Sequence, residues 1–514
     1  VLVAVWGTGC VGLPDNSHRT ESIAFTDTQD TPLGRMFTDA VTQHPGHSGL
    51  HPMPNGVDAF AARTTLADLA QRSLDVQYYI WDPDPIGRLL IERLLAAADR
   101  GVRVRVLLDD YASTADDRGL LALDSHPNVE VRLFNPIALR SRKTLGLLFD
   151  ASRATRRMHN KSFNADNQVA IVGGRNIADE YFEVADDANM ADLDVVSIGP
   201  VVRDVGQSFD EYWNSPASFP ITTLTHRTSS PEDFATALAR LKADSDQTRA
   251  SPAGVAFAAS PLVEQIRSGG LTFYWGNATL VYDDPRKAAA QSDDPQHRLL
   301  PKVKAVIDDV QHEVVLVGPY FIPGRSGMEF FRTLRQRGVR VVILTASMAS
   351  TDVLSVYAAY SRYRNELLAM GVELYEFKPN AVHRVEGDKS GGKRSESTSR
   401  ASLHGKFFGF DRTSVFVGSL NLDPRSAKLN TEVGVIFESP EMADQLWRRL
   451  DDRLMEIAWK VEAVPMDSSG DYVRLNWVTR ENGALVRLTD EPGQSFCRNL
   501  WVALVRILPI ESQL

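Results

Sequence analysis

The sequence predicts an α/β protein built as two fused αβ lobes. Three observations predict it. One ordered series of strand and helix signals occurs twice, each series closes on the same short block containing a His and a Lys, and the composition is that of a packed globular chain. With 514 residues, 43% of them apolar and 24% charged, the chain is long enough to bury two or more cores.

The N-terminal segment, 1–47, precedes the first series. Its opening run ends Gly-Thr-Gly-Cys and is similar to the tail of a bacterial lipoprotein signal, with Cys10 as the residue that would carry lipid, although the usual Leu three residues earlier is missing. A floppy apolar terminus and the remnant of an ordinary signal peptide are the competing readings. Only Cys10 and Cys497 occur, which excludes a disulfide scaffold and a thiolate zinc cluster.

The first lobe, 48–219, reads as a strand at Val76-Gln77-Tyr78-Tyr79-Ile80-Trp81, a helix from Ile86 to Arg100 stopped by Gly101, a strand from Val102 to Leu108, and a further strand at Val129-Glu130-Val131-Arg132-Leu133-Phe134. Residues 220–299 are richer in Pro, Asp, Ser and Gln, carry a short helix-like stretch from Asp233 to Asp244, and form a connector with the start of the second lobe. The second lobe, 300–460, repeats the order: a strand Glu313 to Val317, a helix Met328 to Arg337 stopped by Gly338, a strand Val339 to Leu344, and a strand Val372 to Phe377. Arg-Gly-Val-Arg-Val recurs at the second strand of both, and the β-branched strands predict sheets buried on both faces. The C-terminal segment, 461–514, has strand character from Tyr472 to Trp477 and an apolar stretch from Phe496 to Ile510.

Each lobe ends in a second shared block. The first is Met158-His159-Asn160-Lys161, then Asp166 and Gly173-Gly174-Arg175-Asn176; the second is Leu403-His404-Gly405-Lys406, then Asp411 and Gly418-Ser419-Leu420-Asn421, with equal spacings. A random match to one block is on the order of 10⁻⁴ in a chain this long, and two matches are roughly its square. A lone His is more often a satisfied core residue; the doubled spacing overturns that reading here. His and Lys two apart on a strand share a face, so an imidazole and an ammonium converge on one phosphate. The small Gly-Gly or Gly-Ser lets the backbone approach, and the Asn adds a neutral donor. One His can attack phosphorus while the other protonates the leaving alkoxide.

The double His-x-Lys-x4-Asp block resembles the signature of the phospholipase D superfamily, from about residue 50 to residue 460. The resemblance implies two phospholipase D-like αβ lobes with the active site at their interface, a phosphohistidine intermediate, and no metal or other cofactor. It implies catalytic positions at His159, Lys161, Asn176, His404, Lys406 and Asn421, with Asp166 and Asp411 holding the site together, and by analogy His159 as nucleophile. An acidic residue is expected to orient each imidazole. In the second lobe the candidate is Glu432, and its repeat counterpart, found by aligning the apolar strands that follow, is Asp194 of Asp192-Leu193-Asp194-Val195.

Basic stretches precede both motifs: Arg140, Arg142, Lys143, Arg153, Arg156 and Arg157, and then Arg384, Lys389, Lys393, Arg394 and Arg400. Charge runs are usually solvated faces, but their matched position predicts a funnel for an anionic substrate. Arg156, Arg157, Arg175 and Tyr320 are the substrate-binding candidates. The formal net charge of -10 argues against a general nucleic-acid partner.

Closer resemblance is to the bacterial cardiolipin synthases, through Gly173 to Phe182, Pro319-Tyr320-Phe321-Ile322-Pro323-Gly324 and Asn421-Leu422-Asp423-Pro424-Arg425-Ser426, and to their C-type through Ala349 to Val353 and Leu508 to Glu511. It implies transfer of a phosphatidyl group from phosphatidylglycerol or phosphatidylethanolamine to phosphatidylglycerol. Two alternatives stay open: a hydrolytic phospholipase or nuclease with the same residues, and a non-catalytic lipid-binding scaffold. No apolar run is long enough to span a bilayer, so the expected place is the surface of the bacterial inner membrane, lipid-anchored if Cys10 is modified. Helical spacing puts Phe496, Leu500, Ala503, Leu504 and Ile507 on one side of a C-terminal helix, with Arg498 and Arg506 to reach lipid phosphates and Trp501 to sit at the headgroup boundary. Packing of that helix on the second lobe is the competing reading.

Overall fold

The structure is a computed structural model; it describes residues 12–514 except 112, 114–115, 141–142, 144–152, 154, 186–187, 226–229, 289–297, 381–399, 466–472 and 509. Cys10, Arg142, Arg384, Lys389, Lys393 and Arg394 lie outside the described residues.

The first lobe carries strands β1 (Ser48–Met53), β2 (Ser73–Tyr78), β3 (Arg103–Asp109), β4 (Val129–Phe134), β5 (Ser162–Ala165), β6 (Val169–Gly173), β7 (Ala188–Ala191), β8 (Asp194–Ile198) and β9 (Ser218–Pro220). The second carries β10 (Tyr274–Tyr282), β11 (Glu313–Val317), β12 (Arg340–Ala346), β13 (Glu373–Phe377), β14 (Arg400–Leu403), β15 (Phe407–Phe410), β16 (Ser414–Gly418), β17 (Val433–Glu438) and β18 (Ala458–Pro465), followed by β19 (Val473–Glu481) and β20 (Ala484–Leu488). Pairing runs β9-β4-β3-β2-β5-β6-β8-β1 in the first lobe and β18-β13-β12-β11-β15-β16-β17-β10 in the second. The two orders are the same, strand for strand. They meet where β1 pairs antiparallel with β10, Gly49 opposite Trp275, which fuses both lobes into one sheet about a pseudo-two-fold axis.

Strand alternation explains the layering. In β11, Val314 and Leu316 face the core of the second lobe while Val315 and Val317 face a separate core that also takes Val172 and Val195 from the first lobe. That shared core is closed by the helices Pro200–Trp213 and Pro440–Ile457. The parallel pairs β2–β3 and β11–β12 are bridged by the helices Pro85–Asp99 and Gly324–Gln336, each released by a left-handed glycine, Gly101 at φ 91 and Gly338 at φ 81. The connector helix, Pro231–Ala250, is longer at both ends than the sequence stretch suggested, and Ser230 and Asp233 close a capping box at its start.

The C-terminal segment extends only the second lobe. β18, β19 and β20 form a meander, and the helix Phe496–Ile507 buries Val502 and Val505 while Phe496, Leu500, Leu504 and Ile507 face outward. Arg506 donates to Ser361 Oγ at 2.7 Å and Arg498 to the carbonyl of Met348 at 3.0 Å, so both guanidiniums anchor the helix to the protein instead of reaching outward. Among the described residues no helix is long and apolar enough to cross a membrane.

Candidate active site

Each motif is zipped to the opposite lobe before its side chains are considered. The His159 amide donates to the Thr431 carbonyl at 2.9 Å, and the amides of His404 and Gly405 both donate to the Ala191 carbonyl at 2.8 Å. The short parallel pair β7–β14 extends the second of these contacts. Asp166 and Asp411 stand at the tips of the β5–β6 and β15–β16 hairpins with φ of 53 and 50, a conformation that Asp tolerates better than most residues. Their carboxylates accept from three successive amides each, Gln71, Arg72 and Ser73 for Asp166 and Gln311, His312 and Glu313 for Asp411. They tie each motif hairpin to the start of its neighbouring strand.

The imidazoles take their acids across the lobe boundary. His159 Nδ1 donates to Glu432 Oε2 at 2.8 Å, and His404 Nδ1 donates to Asp192 Oδ2 at 2.5 Å. The rings are nearly closed off, 6% and 7% exposed. Asp194 is not an imidazole partner. It is fully buried against Arg63 at 2.8 Å and Arg175 at 3.5 Å. The reason is register: Gly173 pairs with Asp194 and Gly418 with Gly434, so the residue matching Glu432 is Asp192.

Lys161 and Lys406 fold back on their own motif, each donating to the carbonyl of its His at 2.6 Å, and Lys406 Nζ lies 3.2 Å from His404 Nε2. Tyr79 stands edge-on to His159 and Tyr181 edge-on to His404, both with ring centroids 4.9 Å apart. Asn176 donates to the Tyr181 hydroxyl at 2.8 Å and accepts from the Ile80 amide at 3.2 Å, while Asn421 Oδ1 is buried without a partner among the described residues.

Electrostatics separates the two pairs. Burial, then the Lys161 and Lys406 charges, drives His159 well below the ordinary imidazole value. Burial and Lys406 also lower His404, but Asp192 opposes them. Burial pushes Glu432 up to about 7, against the pull of Lys161 and of the Ser419 and Ser426 hydroxyls. Burial works the same way on Asp192, yet His404, Lys406 and Arg175 outweigh it and hold the carboxyl at about 2. Burial lowers both ammoniums, Lys161 more strongly.

The substrate-binding candidates are corrected in part. Arg157 is 0% exposed, paired with Asp109 at 3.3 Å and donating to the Asn135 carbonyl, and Arg175 spends its donors on the carbonyls of Met53, Pro54, Tyr181 and Asp192. Both are buried and brace the backbone around the site. Arg156 reaches across to the carbonyl of Lys287 at 3.0 Å, and the Tyr320 hydroxyl donates to Asp352 at 2.7 Å. In the first basic stretch Arg140 pairs with Asp110 and Asp117, and Lys143 with Asp110, so these two charges are taken up by carboxylates. Residues that sequence reasoning passed over are Asp192, Ser419, Ser426, Tyr79 and Tyr181. Each lay inside a stretch already singled out, but only three-dimensional register assigns it a partner. Among the described residues no group of three or more His, Cys, Asp or Glu side chains could hold a metal ion.

A duplicated αβ fold with a His-Lys block from each copy at the seam defines an enzyme of the phospholipase D class. The family described as cardiolipin synthase, PLD-like domain, matches residues 64–213 and 303–454, one match to each lobe. The chain is 41% identical to cardiolipin synthase C of Escherichia coli K12 over 472 residues, 91% of this chain and 97% of that protein. It is 32% identical to an uncharacterized protein of Helicobacter pylori 26695 over 507 residues, 98% of this chain and 96% of that one. Phosphatidylserine synthase of Haemophilus influenzae Rd KW20 shares the fold, with a TM-score of 0.55 at 13% identity over 83% of this chain and 91% of that structure. The chain belongs to the cardiolipin synthase family of phospholipase D-like enzymes.

Proposed function

We propose that this enzyme makes cardiolipin by moving a phosphatidyl group from phosphatidylglycerol or phosphatidylethanolamine to a hydroxyl of a second phosphatidylglycerol. The observation that carries the reading is the pair of crossed imidazole–carboxylate contacts at one seam, His159–Glu432 and His404–Asp192. In the first step neutral His159 attacks phosphorus through Nε2 while His404, protonated, gives its proton to the departing alkoxide of glycerol or ethanolamine. In the second, His404 takes the proton of the incoming phosphatidylglycerol hydroxyl, which attacks phosphorus and releases His159. The more depressed proton affinity of His159 suits the nucleophile, and the ionised Asp192, which opposes the lowering of His404 by burial and Lys406, suits the acid. Lys161, Lys406, Asn176 and Asn421 are the donors for the charge of the five-coordinate phosphorus, and an entering phosphodiester anion would offset the burial that lowers both ammoniums.

The near closure of both rings favours transfer over hydrolysis, since water must be kept from the phosphohistidine until the lipid alcohol arrives. A bilayer surface as the working place is supported by the C-terminal helix. Phe496 is 82% exposed and Ile507 81%, with Leu500, Leu504 and half-exposed Trp501 between them. The chain end beyond it returns to the site, where the Leu514 carbonyl accepts from the amide of Arg425, whose charge bears on His159.

Purified enzyme with mixed phosphatidylglycerol and phosphatidylethanolamine vesicles tests the reading. Cardiolipin, released with glycerol or ethanolamine, is the expected product. Phosphatidic acid alone, or cut DNA in a parallel assay, would make it a hydrolase, and no turnover would leave a lipid-binding scaffold.

A further inference from the structure

The pseudo-two-fold axis matches the residues of one half-site to those of the other. Trp81 pairs with Ile177 as Phe321 pairs with Leu422, and Gly173 pairs with Asp194 as Gly418 pairs with Gly434. Three matched positions beside the catalytic residues then differ in kind: Gly174 and Ser419, Tyr181 and Ser426, Asp192 and Glu432.

Around Glu432 the differences form a clamp. The Ser419 hydroxyl donates to Oε2 and accepts from the Val433 amide at 3.0 Å, while the Ser426 hydroxyl donates to Oε1 at 2.7 Å. Ser426 is fixed in turn because its amide is capped by Asp423 at 2.7 Å, in the first turn of the helix Pro424–Lys428. The Glu432 amide donates to Asp283, which pairs with Lys287 at 2.9 Å, so main chain and side chain are both held. Both oxygens of this buried carboxylate are thus taken by hydroxyls, and the remaining acceptor position on Oε2 faces His159.

Asp192 is held differently. Its Oδ1 accepts from the Leu193 amide at 2.7 Å, and among the described residues no side-chain hydroxyl donates to it. A serine in place of Gly174 would have to displace the Asp192 carboxylate, since a Cβ there would lie 2.1 Å from Asp192 Oδ1. At the position of Ser426 the first lobe has Tyr181, whose hydroxyl accepts from Asn176 and whose ring stands T-shaped against His404.

We propose that Ser426, assisted by Ser419, is a positioning residue that reserves Glu432 for His159 and favours its carboxylate form as the acceptor of the Nδ1 proton, a device the other half-site lacks. The proposal rests on the two-histidine reading of the site but not on the identity of the acceptor alcohol. A long buried Glu without these donors would be free to rotate or to take a proton, and His159 would lose the partner that fixes which nitrogen faces phosphorus.

The test follows hydrolysis of bis(p-nitrophenyl) phosphate by the full-length enzyme across pH. Ser426→Ala is expected to lower kcat about 10-fold, as for loss of a hydrogen bond to a charged group, with KM within about 2-fold. Because the hydroxyl favours the ionised form, its loss raises the Glu432 pKa, and the acid limb of the profile moves up by roughly one unit. Ser426→Thr, which keeps the hydroxyl, restores both. Ser426→Cys, which keeps the shape with a weaker donor, falls between and serves by the same criteria if the alanine variant does not fold. An unmoved acid limb, wild-type activity in Ser426→Ala, or a threonine variant as impaired as the alanine variant would each overturn the clamp. Cleavage of this diester without any cardiolipin from vesicles would instead overturn the proposed transfer and leave the clamp standing.

Discussion

His159 and His404 occupy matched places in two lobes of the same strand order, yet their surroundings differ. His159 has a long acid, Glu432, brought up to about 7 by burial, and a wall made by Tyr79; His404 has a short acid, Asp192, held at about 2, and a wall made by Tyr181. Both tyrosines come from the first lobe, and both acids come from the lobe opposite their histidine. The repeated fold supplies the geometry, and a few side chains at the seam make the two half-sites different. A symmetric pair of imidazoles would have one proton affinity, whereas a nucleophile and an acid need two.

The comparison breaks most visibly at the histidines. His159→Ala and His404→Ala are each expected to cost about 10³-fold or more in kcat with unchanged thermal unfolding, because the proposed mechanism uses both imidazoles in each half of the reaction. Near-wild-type turnover in either would sink the two-motif site. Next come the crossed acids: Glu432→Gln and Asp192→Asn should each lower kcat about 10²-fold while KM stays nearly constant. Asp194→Asn sharpens the contrast. It strands the buried Arg63 guanidinium, so its loss should appear as about 3–5 kcal/mol of stability in denaturant unfolding, with the pH profile of the surviving enzyme unmoved. A profile shifted by Asp194→Asn would return that residue to the catalytic set.

Smaller effects follow from protonation and from the outer face. On the proposed mechanism Glu432 acts as a carboxylate, so activity should fall as pH drops through about 7, the value to which burial raises it. In the Glu432→Gln variant that limb should vanish from the pH–rate profile. Replacing Phe496, Leu500 and Ile507 together by Ser leaves Val502 and Val505 buried, so the fold should persist while flotation with anionic vesicles weakens several-fold. Equal flotation would move membrane attachment to another part of the chain.

The order of strands was legible in the sequence because β-branched runs and stop glycines repeat at matched places, as at Gly101 and Gly338. The motif residues were legible for the same reason. Asp192 was not: Asp192 and Asp194 lie two apart, a slip of two keeps every side chain on its face, and only the pairing of Gly173 with Asp194 and of Gly418 with Gly434 separates them. Nor does a basic run disclose burial. Arg157 and Arg175 read as substrate-binding residues in sequence, but each is enclosed by a carboxylate and by backbone carbonyls, among them Asn135 for Arg157 and Met53 for Arg175. The crossing of acids between lobes also leaves no sequence trace, since each acid sits within an ordinary strand-edge stretch of its own lobe.

Trapping the phosphoenzyme tests the central claim most directly. Enzyme mixed briefly with phosphatidylglycerol labelled in the phosphate, quenched in alkali and digested should carry the label on the peptide containing His159, with none in His159→Ala. Label on the His404 peptide, on a residue other than histidine, or persisting in His159→Ala would contradict the division of labour between the two half-sites.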